Sequence, residues 1–313
     1  MALIDVIITL TEVLFLLALS PLLSGIIRKI KAWIQCRKGP GILQPYRDIW
    51  KLLHKGTVMS KEASWLFLLI PYICLGAMLC LAVMMPVFYT GSSNGIGDMV
   101  AAIYMLAIFR FMMVLGGLEG GSSFGGMGSS REMMISAIVE PTLLLSIFSV
   151  AAISGTTDLS DISRYFASSG ASVLSPSLFL AAAAIFISLM AENSRVPFDN
   201  PATHLELTMV HEGMLLEYSG RELALMETAS YMRLTIFMVI LSNIFFPWGI
   251  AMDLEAGALV IAIVAIVLKL LLISVAVAVT ESLMAKLRLF RLPNLLTISF
   301  TLSLLAVMSY YIL

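Results

Sequence analysis

The chain has 313 residues, 60% of them hydrophobic and 12% charged, with a formal net charge of -1. About a quarter of the residues of a soluble domain are charged, so this composition excludes a soluble domain and indicates an integral membrane protein with no basic surplus for nucleic acid. Cys36, Cys74 and Cys80 form no CxxC pair and no cluster-binding spacing, so no iron-sulfur or zinc centre held by this chain is expected.

A spanning helix needs about 20 mostly apolar residues. Eight such runs fall at residues 3–27, 66–89, 100–118, 132–154, 175–192, 231–250, 256–282 and 294–312. The expected fold is all-α, a polytopic membrane protein of about eight transmembrane helices forming one membrane domain over residues 1–313. The first run has no basic segment before it and no small-residue cleavage pattern after it, and reads as a retained span. A long loop at 28–65 follows, with nine of the nineteen lysines and arginines and the turn-forming RKGPG at 37–41. Within it, residues 42–55 place Ile49, Leu52 and Leu53 on one side of a helix and Arg47, Asp48, Lys51 and Lys55 elsewhere. Such a helix lies in the membrane interface.

Odd-numbered loops, with Arg233 at the start of span 6 counted to loop 5, hold sixteen of the nineteen basic residues, the even-numbered loops hold Arg164, and Arg110 and Lys269 fall deeper inside spans. The positive-inside rule then places loops 1, 3, 5 and 7 in the cytoplasm and both termini on the outer face. No repeat divides the chain into similar halves, which weighs against a secondary transporter. The glycine-rich stretch GGLEGGSSFGGMGSS at 116–130 lacks the GK[ST] ending of a phosphate loop, and reads as a flexible or closely packed turn.

Glu140 stands about 10 Å along span 4 from Met133 and is followed by Pro141. A charge at the bilayer centre costs about 2.5–3.5 kcal/mol on insertion scales, so intramembrane carboxylates mark ion routes. The proline removes a backbone donor and bends the helix, freeing carbonyls. The competing reading is an ion pair with Arg110 that locks two helices. Lys269, mid-way along span 7, reads equally as a proton-exchanging amine or as the partner of a carboxylate on another helix. Loop 5, at 192–230, holds Glu192, Asp199, Glu206, Glu212, Glu217, Glu222 and Glu227. Glu206 and Glu217 are eleven apart, close to three turns on a continuous helix, and crowded carboxylates raise one another's pKa. The alternative is a solvated acidic face. His204 and His211 are seven apart, which is not the i, i+4 spacing of a zinc helix, and no metal is expected there.

Two stretches, AENSRVPFD at 191–199 and EYSG at 217–220, resemble signatures of the H-type membrane subunit of respiratory complex I and its counterpart in membrane-bound nickel-iron (NiFe) hydrogenases. The resemblance extends to loop 1, where Arg28, Ala32, Gln35, Arg37, Gly39, Pro40, Gln44, Pro45, Asp48, Lys51 and Leu52 match. In span 4 it includes the spacing of Arg131 and Glu140. Departures from the complex I pattern, Ala202 and His204 in place of two glutamates and three extra residues before EYSG, make THLELTMVHEGMLLEYSGR similar to the formate hydrogenlyase and hydrogenase-4 branch.

This resemblance implies a non-catalytic membrane anchor in the cell inner membrane, coupling a cytoplasmic hydrogenase arm to proton or sodium translocation. An ion path would run through Glu140, Glu192, Asp199, Glu206, Glu212, Glu217 and Lys269. Arg37, Gly39, Pro40, Asp48, Lys51, Arg195 and Arg221 would dock the arm, and Arg110 and Arg131 would make structural pairings. No cofactor is expected on this chain, the NiFe centre and iron-sulfur clusters belonging to the hydrogenase large and small subunits. Antiporter-like membrane subunits and the lipid bilayer complete the expected partners. A quinone-site subunit of complex I and a stand-alone ion transporter are the alternatives.

Overall fold

The computed structural model describes residues 2–60, 63–91, 97–169, 175–200, 209–246, 248–252 and 254–312. Among the described residues eleven α-helices follow in order: α1 Ala2–Ile34, α2 Gln44–Leu53, α3 Trp65–Met84, α4 Met99–Glu119, α5 Ser123–Ser154, α6 Leu159–Ser169, α7 Pro176–Glu192, α8 His211–Leu215, α9 Gly220–Phe245, α10 Ala256–Leu283 and α11 Leu292–Ile312. The chain is an all-α polytopic membrane protein, and α1, α3, α4, α5, α9, α10 and α11 are long and apolar enough to cross a bilayer. Helix α7 is apolar but shorter, at 17 residues.

Helix α9 is the central pillar. Every residue from 231 to 245 is buried, and the helix packs on α1, α2, α3, α6, α7 and α10. Lipid tails are as apolar as leucine, so burial in a membrane is driven by close packing and hydrogen bonds between helices. Such bonds join α7 to α11, where Ser177 Oγ donates to Ala306 O at 2.6 Å and Ser299 Oγ to Ala184 O at 2.9 Å. Ser129 Oγ ties α5 to Val114 O of α4 at 3.0 Å.

Several helix ends differ from the hydropathy reading: α1 runs on to Ile34, past the expected end of span 1, so the start of loop 1 is helical, and three other differences have a local reason. Span 2 was expected to reach residue 89, but α3 stops at Met84 because Pro86 disfavours helical backbone at Met85. The chain beyond is buried without regular structure, and non-helical backbone at membrane depth is tolerated when protein satisfies it. Glu12 of α1 does so, its Oε1 accepting from the N–H groups of Val87, Phe88 and Tyr89 at 3.1, 3.0 and 3.1 Å. Asn243 Nδ2 donates to Pro86 O and Val87 O at 2.7 and 3.0 Å.

Helix α5 starts nine residues before the expected span, at Ser123, where Ser122 Oγ accepts from Gly125 N at 3.1 Å. The glycine-rich stretch is thus the end of α4, a tight turn at Gly121 with φ +67°, and the first turns of α5. Helix α9 begins at Gly220 and not at 231, because Arg221, Glu222 and Glu227 occupy regular helical turns that an apolar-run criterion discards. The expected interfacial helix is present as α2, and packs on α1 and α9.

Candidate functional site

Arg110 of α4 is buried among three helices. Its Nη1 donates to Glu140 Oε1 on α5, and its Nη2 donates to Glu192 Oε1 at the end of α7. The two carboxylates differ in setting, since the Glu192 side chain is 2% exposed and that of Glu140 41%. One cation therefore serves two acids, one sealed in protein and one reaching the bundle surface. Pro141 follows Glu140 without ending the helix.

Two further charges enter this interior. Glu132 of α5 is buried, and so is Arg233 of α9, whose guanidinium lies over the Phe109 ring at 4.8 Å. The charges of Arg233 and Arg110 both act on Glu132. Among the described residues, Glu132 Oε2, Glu192 Oε2, Arg110 Nε and Arg233 Nε and Nη1 have no hydrogen-bond partner within the protein.

Loop 5 is pinned by ion pairs at its base. Glu281 of α10 accepts from Lys31 Nζ at 3.0 Å and Arg195 Nη1 at 3.2 Å, so one carboxylate ties α1, α10 and loop 5 together. Asp199 is buried, paired with Lys286 at 2.5 Å, and its Oδ2 accepts from Val210 N at 2.8 Å. That bond holds residues 199 and 210 together across the loop.

The stretch from His211 onward is short helix α8, a turn, and then α9. Met209 and Val210 are not helical, and Gly220 has φ +59°. The continuous helix that would set Glu206 and Glu217 on one face is therefore absent. Gly220 occupies the left-handed region and lies against the Lys55 and Gly56 carbonyls, so a side chain there would be both strained and blocked. Glu206, with Ala202 and His204, lies outside the described residues.

The EYSG motif docks on the glycine-rich stretch and on loop 1. Tyr218 stacks on Phe67 with ring centroids 4.0 Å apart and planes 6° apart, beside Gly116. Ser219 Oγ donates to Val58 O and accepts from Val58 N, both at 2.8 Å. Burial pushes the Tyr218 hydroxyl well above the usual phenol range. His211 is buried beside Ser230, with Nε2 and Oγ 3.2 Å apart. Burial first, and then the charges of Arg233 and Arg195, hold it well below the ordinary imidazole value, so the ring is neutral at pH 7.

Loops 1 and 5 and helix α9 enclose a cavity of about 540 Å³. Arg28, Arg37, Gly39 and Pro40 line it from one side, Arg195, Asp199, His211 and Glu212 from another, and Glu227, Tyr231 and Arg233 from α9. Other residues expected to act stand apart from it. Asp48 accepts from Gln44 within α2 at 2.8 Å, Lys51 and Arg221 are exposed, and Arg131 donates to Met209 O in loop 5 at 2.9 Å. Glu217 is half-buried against Gly120. Lys269 is half-buried on α10, with no ion pair or hydrogen bond among the described residues. Among those residues, no three His, Cys, Asp or Glu side chains are placed to hold a metal ion.

Glu12, Glu132 and Arg233 escaped the sequence reading. Glu132 coincided with the first residue of an apolar run, and Arg233 was counted as a loop base. A signal was present for Glu132, which continues the buried stripe of Ile135, Val139 and Leu143 at positions i+3, i+7 and i+11.

The NADH dehydrogenase family pattern matches residues 6–311. Hydrogenase-4 component C of Escherichia coli is 38% identical over 304 residues, covering 96% of this chain and 94% of that protein. Formate hydrogenlyase subunit 4 of the same organism is 36% identical over 301 residues, covering 96% and 97%. The H-type subunit of the NADH-quinone oxidoreductase of Rubrobacter xylanophilus is 29% identical over 249 residues, covering 75% and 72%. A chain of the membrane-bound sulfane sulfur reductase, an archaeal respiratory membrane complex, shares the fold at a TM-score of 0.83, covering 98% of this chain and 99% of its own at 21% identity. With a family pattern spanning nearly all of its length and two relatives matched end to end, the chain belongs to the NADH dehydrogenase family of polytopic membrane subunits, alongside hydrogenase-4 component C and formate hydrogenlyase subunit 4.

Proposed function

We propose that this chain is the membrane subunit through which a cytoplasmic nickel-iron hydrogenase arm drives proton or sodium movement by antiporter-like membrane partners. The observation that carries the reading is the single buried Arg110 shared by Glu140 and Glu192. With both acids ionised this trio holds a net charge of minus one in a low-dielectric interior, and a proton on Glu140 or Glu192 neutralises it. One guanidinium bridging carboxylates on two helices links the charge at the sealed site to the charge at the bundle surface. A change of charge in a docked arm then becomes a change of protonation at Glu140, whose partly exposed side chain can pass the proton onward.

In this reading α7 serves as an eighth span, and the one membrane unit sits in the inner membrane with both termini outside. Loops 28–65 and 192–230 face the cytoplasm, as the distribution of basic residues supports. The arm docks over the cavity, touching Arg37, Gly39, Pro40 and Arg195, with Asp48, Lys51 and Arg221 as separate contacts outside it. The ion path takes in Asp199, Glu212 and Glu217 with Glu192 and Glu140, and Glu206 is assigned to it from the sequence alone. Lys269, on α10, shares no ion pair with the described members of this group.

The end-to-end match to hydrogenase-4 component C and formate hydrogenlyase subunit 4 supports the hydrogenase partner over a quinone-linked one. A quinone-site role has one observation in its favour, the cavity between loops 1 and 5. The charged lining of Arg28, Lys31, Asp199 and Glu227 suits a long apolar tail poorly. Nickel analysis of the complex purified with this chain in mild detergent tests the assignment. Near-stoichiometric nickel is expected, and a nickel-free complex that reduces quinone overturns it. Glu140→Gln should leave electron transfer running with ion movement lost, and full coupling in that variant removes Glu140 from the path.

A further inference from the structure

Lys269 sits 13 residues from Ala256 and 14 from Leu283, so about 20 Å of helix separates it from either end of α10. A lysine stem of about 6 Å cannot carry its ammonium that far, and the snorkelling that rescues lysines near helix ends is closed to it. Most other buried or half-buried cations of the bundle have counter-charges in this chain. Lys31 and Arg195 share Glu281, Lys286 meets Asp199, and Arg110 holds Glu140 and Glu192. Arg233 lies over Phe109 within the fields of Glu132 and Glu192. Lys269 has no ion pair or hydrogen bond among the described residues.

Its position on the helix indicates where a counter-charge comes from. Helix α10 turns Ala262, Ile266, Leu270, Ser274 and Val277 inward, packing on α1 and α9. An outward stripe runs through Ile261, Val264, Leu268, Leu272, Val275 and Val279. Lys269 lies between the two, half-buried at the edge of the outward stripe. Apolar surface alone suits lipid tails as well as protein. A cation at this depth does not, because the anionic groups of lipids lie at the interface, and an unpaired charge at the bilayer centre costs several kcal/mol.

We propose that the face of α10 around Lys269 seats a membrane-spanning helix of another subunit, one bearing an aspartate or glutamate at mid-membrane depth. The proposal goes beyond the function given above and does not depend on the metal content of the arm. It assigns Lys269 to assembly, as the cation of an intersubunit ion pair flanked by Leu268 and Leu272.

The test uses the intact complex in its own membrane, with a photo-cross-linking amino acid in place of Leu268 or Leu272. The expected product joins this chain to a membrane subunit whose cross-linked helix carries a mid-depth Asp or Glu. Lys269→Met should then cut recovery of that subunit about tenfold, the change that about 1.4 kcal/mol of lost pairing produces. Exchanging the charges, with Lys269→Glu here and lysine in place of the partner's acid, should restore it. Adducts to lipid alone, to a second copy of this chain, or to a helix lacking a mid-depth acid overturn the proposal, as does full retention of the subunit by Lys269→Met. Should Lys269→Met fail to accumulate, cross-linking from Leu272 with Lys269 intact still decides.

Discussion

Arg110→Leu is the sharpest test of the buried charge cluster. The substitution leaves Glu192, 2% exposed, and Glu140, 41% exposed, without the cation they share. Breaking a buried pair from one side costs about 3–5 kcal/mol, because the surviving charge stays desolvated and unpaired. The Glu140 bond adds less to this, since its side chain reaches the bundle surface and is not sealed in protein. Most of the loss should therefore pass through Glu192. If so, Arg110→Leu with Glu192→Leu, which trades the sealed pair for apolar groups, should recover roughly 2–3 kcal/mol of the cost of Arg110→Leu alone. Glu140→Gln should cost less than Arg110→Leu, because a neutral amide leaves no unpaired charge and still accepts from Arg110. Denaturant unfolding of the purified protein in detergent, followed by helical circular dichroism, reads these three variants and Glu192→Leu alone. A double variant whose loss equals the sum of its single losses would refute the reasoning.

Glu12→Leu removes the acceptor of three buried N–H groups; at about 1–3 kcal/mol for each unsatisfied group, it should lose at least about 3 kcal/mol in the same unfolding assay, with Glu12→Gln intermediate. Gly125 and Gly126 are neighbours with opposite expectations. A Cβ on Gly125 falls 2.3 Å from the Gly117 carbonyl oxygen, whereas one on Gly126 meets nothing within 4 Å. Gly125→Ala should cost about 1–3 kcal/mol by forcing α4 from α5, and Gly126→Ala should be neutral or stabilise by about 0.5–1 kcal/mol; equal effects would contradict the close approach. His211 is held neutral in the fold, while the unfolded chain takes up a proton below pH 6.5. Its contribution is therefore complete above pH 6.5 and falls away as the pH drops beneath it. His211→Gln should flatten that part of the stability profile, and an unchanged acid-side decline in the variant would show that another group titrates.

Apolar runs, which need no knowledge of neighbours, were enough to identify a polytopic all-α membrane protein and to place α4, α7, α10 and α11 within two residues at each end. The loop 1 amphipathic helix was likewise legible, because its alternation of Ile49 and Leu52 with charged residues is local. Runs measure average hydrophobicity, however, and carry no information on which face is inside. Helix α9, with every residue from 231 to 245 buried, and α10, with one whole stripe exposed, therefore read alike. The same limit hid Arg233 and Glu132, whose charges placed them at span ends in a one-dimensional reading while packing drew them into the interior.

Pairing depended on tertiary structure throughout. Arg110 and Glu140 were matched in sequence by depth alone, but the second acid on Arg110, Glu192, comes from the end of α7, 82 positions away. Loop 5 shows the contrast most clearly. Its carboxylates were countable from the chain, yet their arrangement was settled by long-range contacts: Lys286 drawing in Asp199, Gly220 turning the backbone left-handed, and the glycines of α4 and α5 making room for Tyr218 and Val210. Composition determines that this protein lives in a membrane, because solvation acts on each residue separately. Which charges face one another is decided only by the packed fold, because that energy depends on distance and burial.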